Sequence, residues 1–295
     1  MATMWLRTML YTPGNVPRRV AKALGSDADA VILDLEDAVP PDSRPEARET
    51  ISRAIQAHRP DHRIVFARTN PVGSADFEAD LDAVVRPGLS GLKLPKTNGA
   101  HEIREVDERL RVLEEQRGMD AGSVVILPTL ETAAGVLEAR AIAGASDRVW
   151  CLSFGAEDYA ASTGCETTPE GIELLYARSH IAACSAAAGL LPPIDTVFAD
   201  IDDLPGLYRS SRASRALGFQ GKSVVHPKQI GPVHEVFTPT SSQVAAARRT
   251  IEIAQDAARR GIGALRDDGR LVDEAMVRRA TALLAIAARL GGTDA

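Results

Sequence analysis

Residues 30–69 decide the fold, and they contain AVILDLE (30–36), RPEARETISRAIQAHR (44–59) and RIVFART (63–69). The first and third segments are nearly continuous in apolar residues, which is typical of parallel strands covered on their outer face. The middle segment repeats apolar residues at intervals of three and four, the period of a helix that rests one face on a sheet. The stretch therefore predicts a strand–helix–strand unit.

The same alternation extends along the chain in both directions. Six further strand runs are LRTMLYT (6–12), GLKLPK (91–96), SVVILPTLE (123–131), VWCLSFG (149–155), IDTVFAD (194–200) and KSVVHP (222–227). Eight strand–helix repeats predict an α/β fold, a (β/α)8 TIM barrel, which at about 250 residues fits the chain. A doubly wound sheet is the alternative, but it normally has a glycine-rich loop after its first strand, and PGNVPRR (13–19) does not match GxGxxG.

After the eighth strand the pattern changes to a helix (241–261), a short polar connection, LRDDGRL (265–271), and a second helix (273–290), without strand runs. Both helices have an apolar stripe to bury. We therefore expect a TIM-barrel catalytic domain at residues 1–239. Residues 240–295 are expected to form a C-terminal helical lid that also makes oligomer contacts.

The composition narrows the class of function. With 45% hydrophobic and 25% charged residues the chain has the mix of a globular protein, and its 4% aromatic share implies an aliphatic core. A net charge of −6 argues against binding to nucleic acid. Arg7 and Pro13 interrupt any signal-peptide core, and no long apolar stretch predicts a membrane span, so we expect a cytoplasmic enzyme. Three cysteines without CxxC spacing predict neither a disulfide framework nor a zinc site.

Polar residues collect where the predicted strands end, which is where this fold carries out its chemistry. Glu131 and Asp158 close the fifth and sixth strands, so their carboxylates can converge over the barrel mouth. Mg2+ prefers oxygen ligands and usually takes one or two protein carboxylates, whereas zinc would need a cluster of His or Cys. The alternatives are a helix N-terminal carboxylate for Glu131 and an exposed loop position for Asp158.

Arg68 follows a buried apolar run, where a guanidinium needs an anionic partner. That partner is either a substrate carboxylate or developing enolate, or an internal acid such as Asp37 or Glu36. Strand alternation places Asp34 and Glu36 on one side and Asp37 on the other, so we expect that all three do not serve one site. One of them is expected to pair with Arg68 or Lys93.

Three further basic residues have open alternatives. His226 precedes Pro227 and is either an acid–base group or a structural histidine. Arg18 and Lys22 lie four residues apart on the first predicted helix, and they either hold a phosphate or are solvated surface charges.

Nine segments in order along the chain carry a family resemblance: MLYTPGN (9–15), DAVILDLEDAVPP (29–41), ARTN (67–70), LKLPK (92–96), LPTLETAAGV (127–136), FGAEDYA (154–160), DTVFADIDDLPGL (195–207), GFQGKSVVHPKQI (218–230) and LVDEAM (271–276). Together they resemble the citrate lyase β-subunit-like family, also called the HpcH/HpaI aldolase superfamily. It includes malyl-CoA, citramalyl-CoA and citryl-CoA lyases.

The resemblance implies a role for each matching residue. Mg2+ would be held by Glu131 and Asp158, with Glu131 also beside the substrate, and Arg68 would bind a substrate carboxylate or carbonyl oxygen. The residues implied to contact the CoA thioester are Tyr11, Arg18, Lys22, Val225 and His226. A catalytic Asp from the lid of a neighbouring subunit, in a homotrimer or hexamer, corresponds to Asp273. Asp267 and Asp268 lie close enough in sequence to shift that correspondence.

The function implied is that of an Mg2+-dependent acyl-CoA lyase. It would cleave or form a C–C bond of malyl-, citramalyl- or citryl-CoA, with acetyl-CoA and a 2-oxo acid on the other side of the reaction. The alternatives are a malyl-CoA-type thioesterase, a β subunit of a multi-component citrate lyase that acts on an acyl-carrier thioester, and a barrel without enzymatic activity.

Overall fold

The computed structural model describes residues 5–57, 64–259, 265–267 and 270–290. Contacts between Cα atoms group these residues into two compact units. The first is Leu6–His234, and the second contains Trp5 and the described residues from Glu235 onward. The division falls a few residues before the predicted domain boundary at 239.

The first unit is a closed barrel of eight parallel strands in sequence order. The strands are β1 (Thr8–Pro13), β2 (Ala30–Asp34), β3 (Ile64–Arg68), β4 (Gly91–Leu94), β5 (Val125–Leu130), β6 (Ser153–Phe154), β7 (Ile194–Asp195) and β8 (Gly221–Val224). Leu10 of β1 pairs with Val31 of β2 on one side and with Val224 of β8 on the other, which closes the barrel. Each strand overlaps a predicted run, so the predicted TIM barrel is confirmed.

Helices follow the strands. They are α1 (Pro17–Leu24), α2 (Arg44–Ala57), α3 (Phe77–Val84), α4 (Ala100–Gln116), α5 (Ala133–Leu137), α6 (Ala139–Ala143), α7 (Ala156–Thr163), α8 (Leu175–Ala187), α9 (Leu204–Ala216) and α10 (Ile230–Phe237). Short 3-10 turns occupy Pro41–Ser43, Ile172–Leu174 and Pro227–Gln229. Residues 133–143 form two short helices instead of one, because the backbone leaves helical geometry at Glu138.

The barrel interior is filled mainly by aliphatic side chains, as the low aromatic content predicts. Its buried cluster contains Leu6, Met9, Ala30, Ile32, Ile64, Phe66, Leu127, Cys151 and Ile194. Burial of such side chains removes apolar surface from water and is the main favourable term for folding. The outer faces of the same strands are also buried; Val31 and Leu33, for example, have no exposed surface. Coverage on both faces explains why these strands are nearly continuous in apolar residues.

A buried ion cluster ties the seventh and eighth strands to the helices around them. Asp195 accepts hydrogen bonds from Arg178 Nε (3.0 Å) and Nη2 (3.2 Å), from Ser214 Oγ (2.5 Å) and from Lys222 Nζ (2.6 Å). Burial by itself would raise the pKa of Asp195, but Lys222 and Arg178 hold that pKa below its usual range. The carboxylate therefore stays charged in the folded barrel.

The second unit contains α11 (Ser241–Arg259) and α12 (Glu274–Arg289). Between them lies a two-stranded antiparallel sheet of β9 (Leu265–Asp267) and β10 (Arg270–Val272). The expectation of a strand-free polar connection was therefore wrong. Asp-Gly stands between the two strands in the sequence, which is a strong signal for a hairpin. Within the described ranges no helix combines the length and the apolar character needed to cross a bilayer.

We predict that Asp195→Asn lowers the free energy of unfolding by about 3–5 kcal/mol, because it leaves Lys222 and Arg178 buried without a counter-ion. Asp202→Asn is the matched control, since Asp202 is exposed and faces Lys228 Nζ at 3.4 Å. It should change the free energy by less than about 0.5 kcal/mol. Urea unfolding at pH 7 measures both, and equal midpoints for the two variants would contradict a structural role for the cluster.

Candidate active site

A cavity of about 510 Å3 opens at the carboxyl ends of the barrel strands. Tyr11, Arg68, Glu131, Asp158 and Val225, all expected at a site from the sequence, line it together. They come from the ends of five different strands or from the segments that follow them. A TIM barrel brings such ends to one face, so residues far apart in sequence can act on one ligand.

Arg68 lies at the centre of an acidic cluster on one wall of this cavity. Its Nε and Nη2 donate to the two carboxylate oxygens of Asp34, each at 2.6 Å. Its Nη1 lies 2.8 Å from Glu36 Oε2 and 3.5 Å from Asp37 Oδ2. The predicted partners Glu36 and Asp37 are present, but the bidentate partner is Asp34.

The expectation that Asp34, Glu36 and Asp37 cannot serve one site was wrong. Strand β2 ends at Asp34, so the alternation of sides does not continue through the next three residues. In the turn that follows, Glu36 N and Ala38 N donate to the Asp34 carboxylate at 3.1 Å. This turn brings Asp37 back toward Arg68 and leaves its side chain 57% exposed.

Tyr11 and Lys93 lie beside Arg68 toward the barrel interior. The Tyr11 ring centroid is 4.8 Å from Arg68 Cζ and 5.8 Å from Lys93 Nζ, so the ring contacts both cations through its face. Lys93 is buried, and it donates to Ser153 Oγ (2.6 Å) rather than to an acid of the LDLED segment. Burial lowers the pKa of Lys93 to about 7.

Glu131 directly follows β5 and is buried. Its Oε1 accepts a hydrogen bond of 2.6 Å from the backbone N–H of Lys96. Burial raises the pKa of Glu131 to about 7, and the negative charges of Glu36 and Asp158 act in the same direction. Thr132, not Glu131, caps α5 by accepting from Gly135 N at 3.0 Å. The carboxylate of Glu131 therefore does not cap α5, which was the alternative role for this residue.

Gly155 lies against this carboxylate. A Cβ built on Gly155 would collide with Glu131 Oε2, so a side chain at position 155 would push the carboxylate away. The close approach explains why a glycine follows β6 at this point, although its own φ of −119° is accessible to any residue.

Asp158 is the third residue of α7 and lines the same cavity, half-buried. Its charge acts on both Glu131 and Lys96. The sequence placed it at a strand end; in the structure it belongs to the first turn of the following helix, where the helix dipole favours a negative charge.

The charges of this wall do not balance. Five acidic side chains, those of Asp34, Glu36, Asp37, Glu131 and Asp158, lie near two cations that pair with them, Arg68 and Lys96. The buried Lys93, with a pKa of about 7, adds at most one further positive charge near Glu131. A divalent cation next to Glu131 and Asp158 would offset most of the excess. In the described part of the chain no group of three or more His, Cys, Asp or Glu is placed to hold a metal. Such an ion would therefore take two protein carboxylates plus water or substrate oxygens, a set that suits Mg2+.

The other predicted residues lie elsewhere. Arg18 and Lys22 are exposed on α1 and do not line the cavity, whereas Arg19 does. The apolar spacing predicted the helix but not its rotation about its own axis, so the prediction did not include Arg19. His226 accepts from Lys228 N at 3.1 Å and caps the 3-10 turn at Pro227–Gln229, which matches the structural alternative.

In the second unit, Asp273 caps α12 by accepting from Met276 N at 2.9 Å.

Known proteins share this chain's sequence and architecture. A family model described as HpcH/HpaI aldolase/citrate lyase matches residues 7–227. The citrate lyase subunit beta of Haemophilus influenzae is 34% identical over 278 residues, covering 94% of this chain and 95% of that protein. The mitochondrial citramalyl-CoA lyase of Rattus norvegicus is 31% identical, covering 95% of this chain and 86% of that protein. The L-malyl-CoA/beta-methylmalyl-CoA lyase of Cereibacter sphaeroides is 34% identical, covering 94% and 93%.

A solved structure resembles the whole chain. It is protein CitE from Mycobacterium tuberculosis in complex with magnesium, acetoacetate and coenzyme A. The TM-score is 0.78 at 30% sequence identity, and the match covers 97% of this chain and 98% of that one.

We predict that Mg2+ binds about ten times more weakly at pH 6 than at pH 8. A carboxyl group with a pKa of about 7 is mostly protonated at the lower pH, and a bound cation has to displace that proton. Calorimetric titration of the protein with MgCl2 at several pH values measures the effect. An affinity that is constant between pH 6 and pH 8 would show that Mg2+ displaces no proton on binding, which would contradict this prediction.

Proposed function

This chain belongs to the HpcH/HpaI aldolase/citrate lyase family and is a carbon–carbon lyase, and we propose that it is an Mg2+-dependent lyase of a hydroxyacyl-CoA. The substrate would be a thioester such as malyl-, citramalyl- or citryl-CoA, and the products acetyl-CoA and a 2-oxo acid. The observation that carries the proposal is the meeting of Glu131, Asp158 and Arg68 in one cavity with excess negative charge.

Glu131 and Asp158 would hold the metal. When bound, Mg2+ would act as a Lewis acid toward the oxo-acid portion of the substrate. In the cleavage direction the substrate hydroxyl gives up its proton and becomes the carbonyl of the 2-oxo acid, while the electrons of the breaking C–C bond form the enolate of the acetyl thioester. That enolate carbon then takes up one proton, so that the reaction as a whole moves one proton from oxygen to carbon. Arg68, fixed by its two hydrogen bonds to Asp34, offsets the negative charge of that enolate or of the substrate carboxylate.

The thioester would enter beside β1 and β8. Tyr11 and Val225 line the cavity, and Val225 is 39% exposed, as suits a residue against the pantetheine arm. Arg18, Arg19 and Lys22 on α1 present positive charge for the phosphates of CoA. His226 would contribute through the turn that it caps rather than through proton transfer.

Residues 240–295 would serve as a lid and an oligomer contact in a homotrimer or hexamer. In this arrangement Asp273 of one copy reaches the cavity of another and exchanges a proton with the methyl carbon of acetyl-CoA. Of the two neighbouring acids that compete for this role in the sequence, Asp267 belongs to β9 and Asp268 lies outside the described residues.

Two alternative functions would use the same site. A thioesterase would release free CoA and a hydroxy acid. A β subunit of a multi-component citrate lyase would act only on a thioester of an acyl-carrier protein. The proposed lyase instead converts at least one of malyl-, citramalyl- and citryl-CoA alone to acetyl-CoA and a 2-oxo acid. The reaction should stop with EDTA and resume with MgCl2.

Within that assay, Glu131→Gln and Asp158→Asn should each reduce turnover by more than about 100-fold. Loss of a residue that only orients a metal ligand already costs up to about 100-fold in activity, and loss of the ligand itself should cost more. Glu138→Gln is the control, since Glu138 is exposed seven residues further along and its side chain makes no cap hydrogen bond. Full activity in either site variant would refute the metal assignment. Release of free CoA and a hydroxy acid would show that the enzyme is the thioesterase and not the lyase.

For the lid residue we predict that Asp273→Asn reduces turnover by about 100-fold or more and leaves the Kd for Mg2+ unchanged. Asparagine caps helices as well as aspartate does, so this change removes the group that exchanges the proton while it keeps the start of α12. Steady-state kinetics and MgCl2 titration on the same preparation separate the two effects. Unchanged turnover would remove Asp273 from the reaction.

A further inference from the structure

Lys96, in the loop between β4 and α4, has a backbone conformation that L-amino acids seldom adopt. Its φ is +48°, and in the described ranges it is the single non-glycine residue with a positive φ. Residues held in this region persist where the surrounding structure over-determines them, and they concentrate at functional sites.

The surrounding loop is held firmly against β5 and the start of α5. Thr97 N donates to the carbonyl of Thr129 at 3.2 Å, and Asn98 Nδ2 donates to the carbonyl of Lys96 at 2.8 Å. Thr132 Oγ1 donates to Asn98 Oδ1 at 2.5 Å. Gly135 packs so closely on the carbonyl of Thr97 that a Cβ would collide with it. These contacts come from both sides of Glu131 in the sequence.

The unusual conformation directs both ends of Lys96 at carboxylates. The backbone N–H donates to Glu131 Oε1, and the side-chain Nζ donates to Glu36 Oε1, both at 2.6 Å. Glu36 presents its other oxygen, Oε2, to Arg68 Nη1 at 2.8 Å. Lys96 therefore connects the carboxylate of the proposed metal site to the carboxylates that surround the substrate-facing arginine.

We propose that Lys96 is a positioning residue with two separable roles. Its backbone amide fixes the Glu131 carboxylate where the cation binds, and the positive φ is what aims the amide there. Its ammonium shares the charge of Glu36, so that Arg68 keeps part of its charge for the substrate. The proposal rests on the proposed function, in which Glu131 is a ligand of Mg2+.

The two roles predict effects of opposite sign on Mg2+ binding. Removal of the ammonium takes a positive charge away from a wall that already has too much negative charge, so Mg2+ affinity is kept or increased. A change that forces the backbone out of the left-handed region moves the amide away from Glu131 and weakens binding. A side chain that served only general stability would not produce this difference.

Lys96→Gly and Lys96→Val test the proposal because both remove the ammonium and only glycine accepts φ of +48° without strain. In titrations with MgCl2 in the absence of substrate, the Kd of Lys96→Gly should stay within about twofold of wild type or fall. The Kd of Lys96→Val should rise by at least about tenfold. Thermal unfolding establishes that each variant is folded. If the valine variant does not fold, Lys96→Ala, which is also strained at positive φ, replaces it with the same expected order.

The ammonium is tested in the lyase assay. Lys96→Gly should raise the KM for the oxo acid or thioester several-fold, and Lys96→Arg, which can again pair with Glu36, should restore it. Equal weakening of Mg2+ binding in the glycine and valine variants, or none in the valine variant, would overturn the positioning role. Failure of the wild-type protein to bind Mg2+ would instead overturn the metal site of the proposed function.

Discussion

The arrangement of charges around the cavity depends on one buried guanidinium, that of Arg68 at the end of the third strand, which needs an anionic partner. Arg68 follows a buried run, and Asp34 on the neighbouring strand compensates its charge through two hydrogen bonds. Glu131 and Asp158 add further negative charge to the wall on which Arg68 and Lys96 pair with Glu36. The pKa of Glu131 is raised mainly by its burial and further by the charges of Glu36 and Asp158, so its carboxyl group takes up a proton more readily than an exposed one.

The barrel has a second buried ion cluster, and the contrast between the two separates structure from chemistry. Asp195 has four donors around it and no exposed surface, so its hydrogen-bonding capacity is used within the protein. Glu131 has one backbone donor from Lys96 and faces a cavity. Because its hydrogen bonds are made within the protein, the first cluster holds strands β7 and β8 together. Incomplete pairing leaves the second one able to take a ligand.

Much of the fold was predictable because parallel strands covered on both faces have to be nearly continuous in apolar residues, as 30–36 and 123–131 are. Strand ends also located Arg68 and Glu131. Sequence periodicity failed where the backbone leaves regular geometry: at the turn after Asp34, at the β9–β10 hairpin and at Lys96 with its positive φ. The rotation of α1, which brings Arg19 to the cavity, depends on packing that one sequence does not reveal. The oligomer and the cytoplasmic location remain predictions.

Because Gly155 lies against Glu131, substitutions at these two positions, which are 24 residues apart in the sequence, depend on each other. A Cβ at position 155 would meet the Cβ of Glu131 as well as its carboxylate, so a shorter acid at 131 would not by itself make room. The Glu131 carboxylate also accepts the backbone N–H of Lys96, so a shift forced by a side chain at 155 would disturb that hydrogen bond as well. A change at this end of the cavity therefore involves the loops after three strands together.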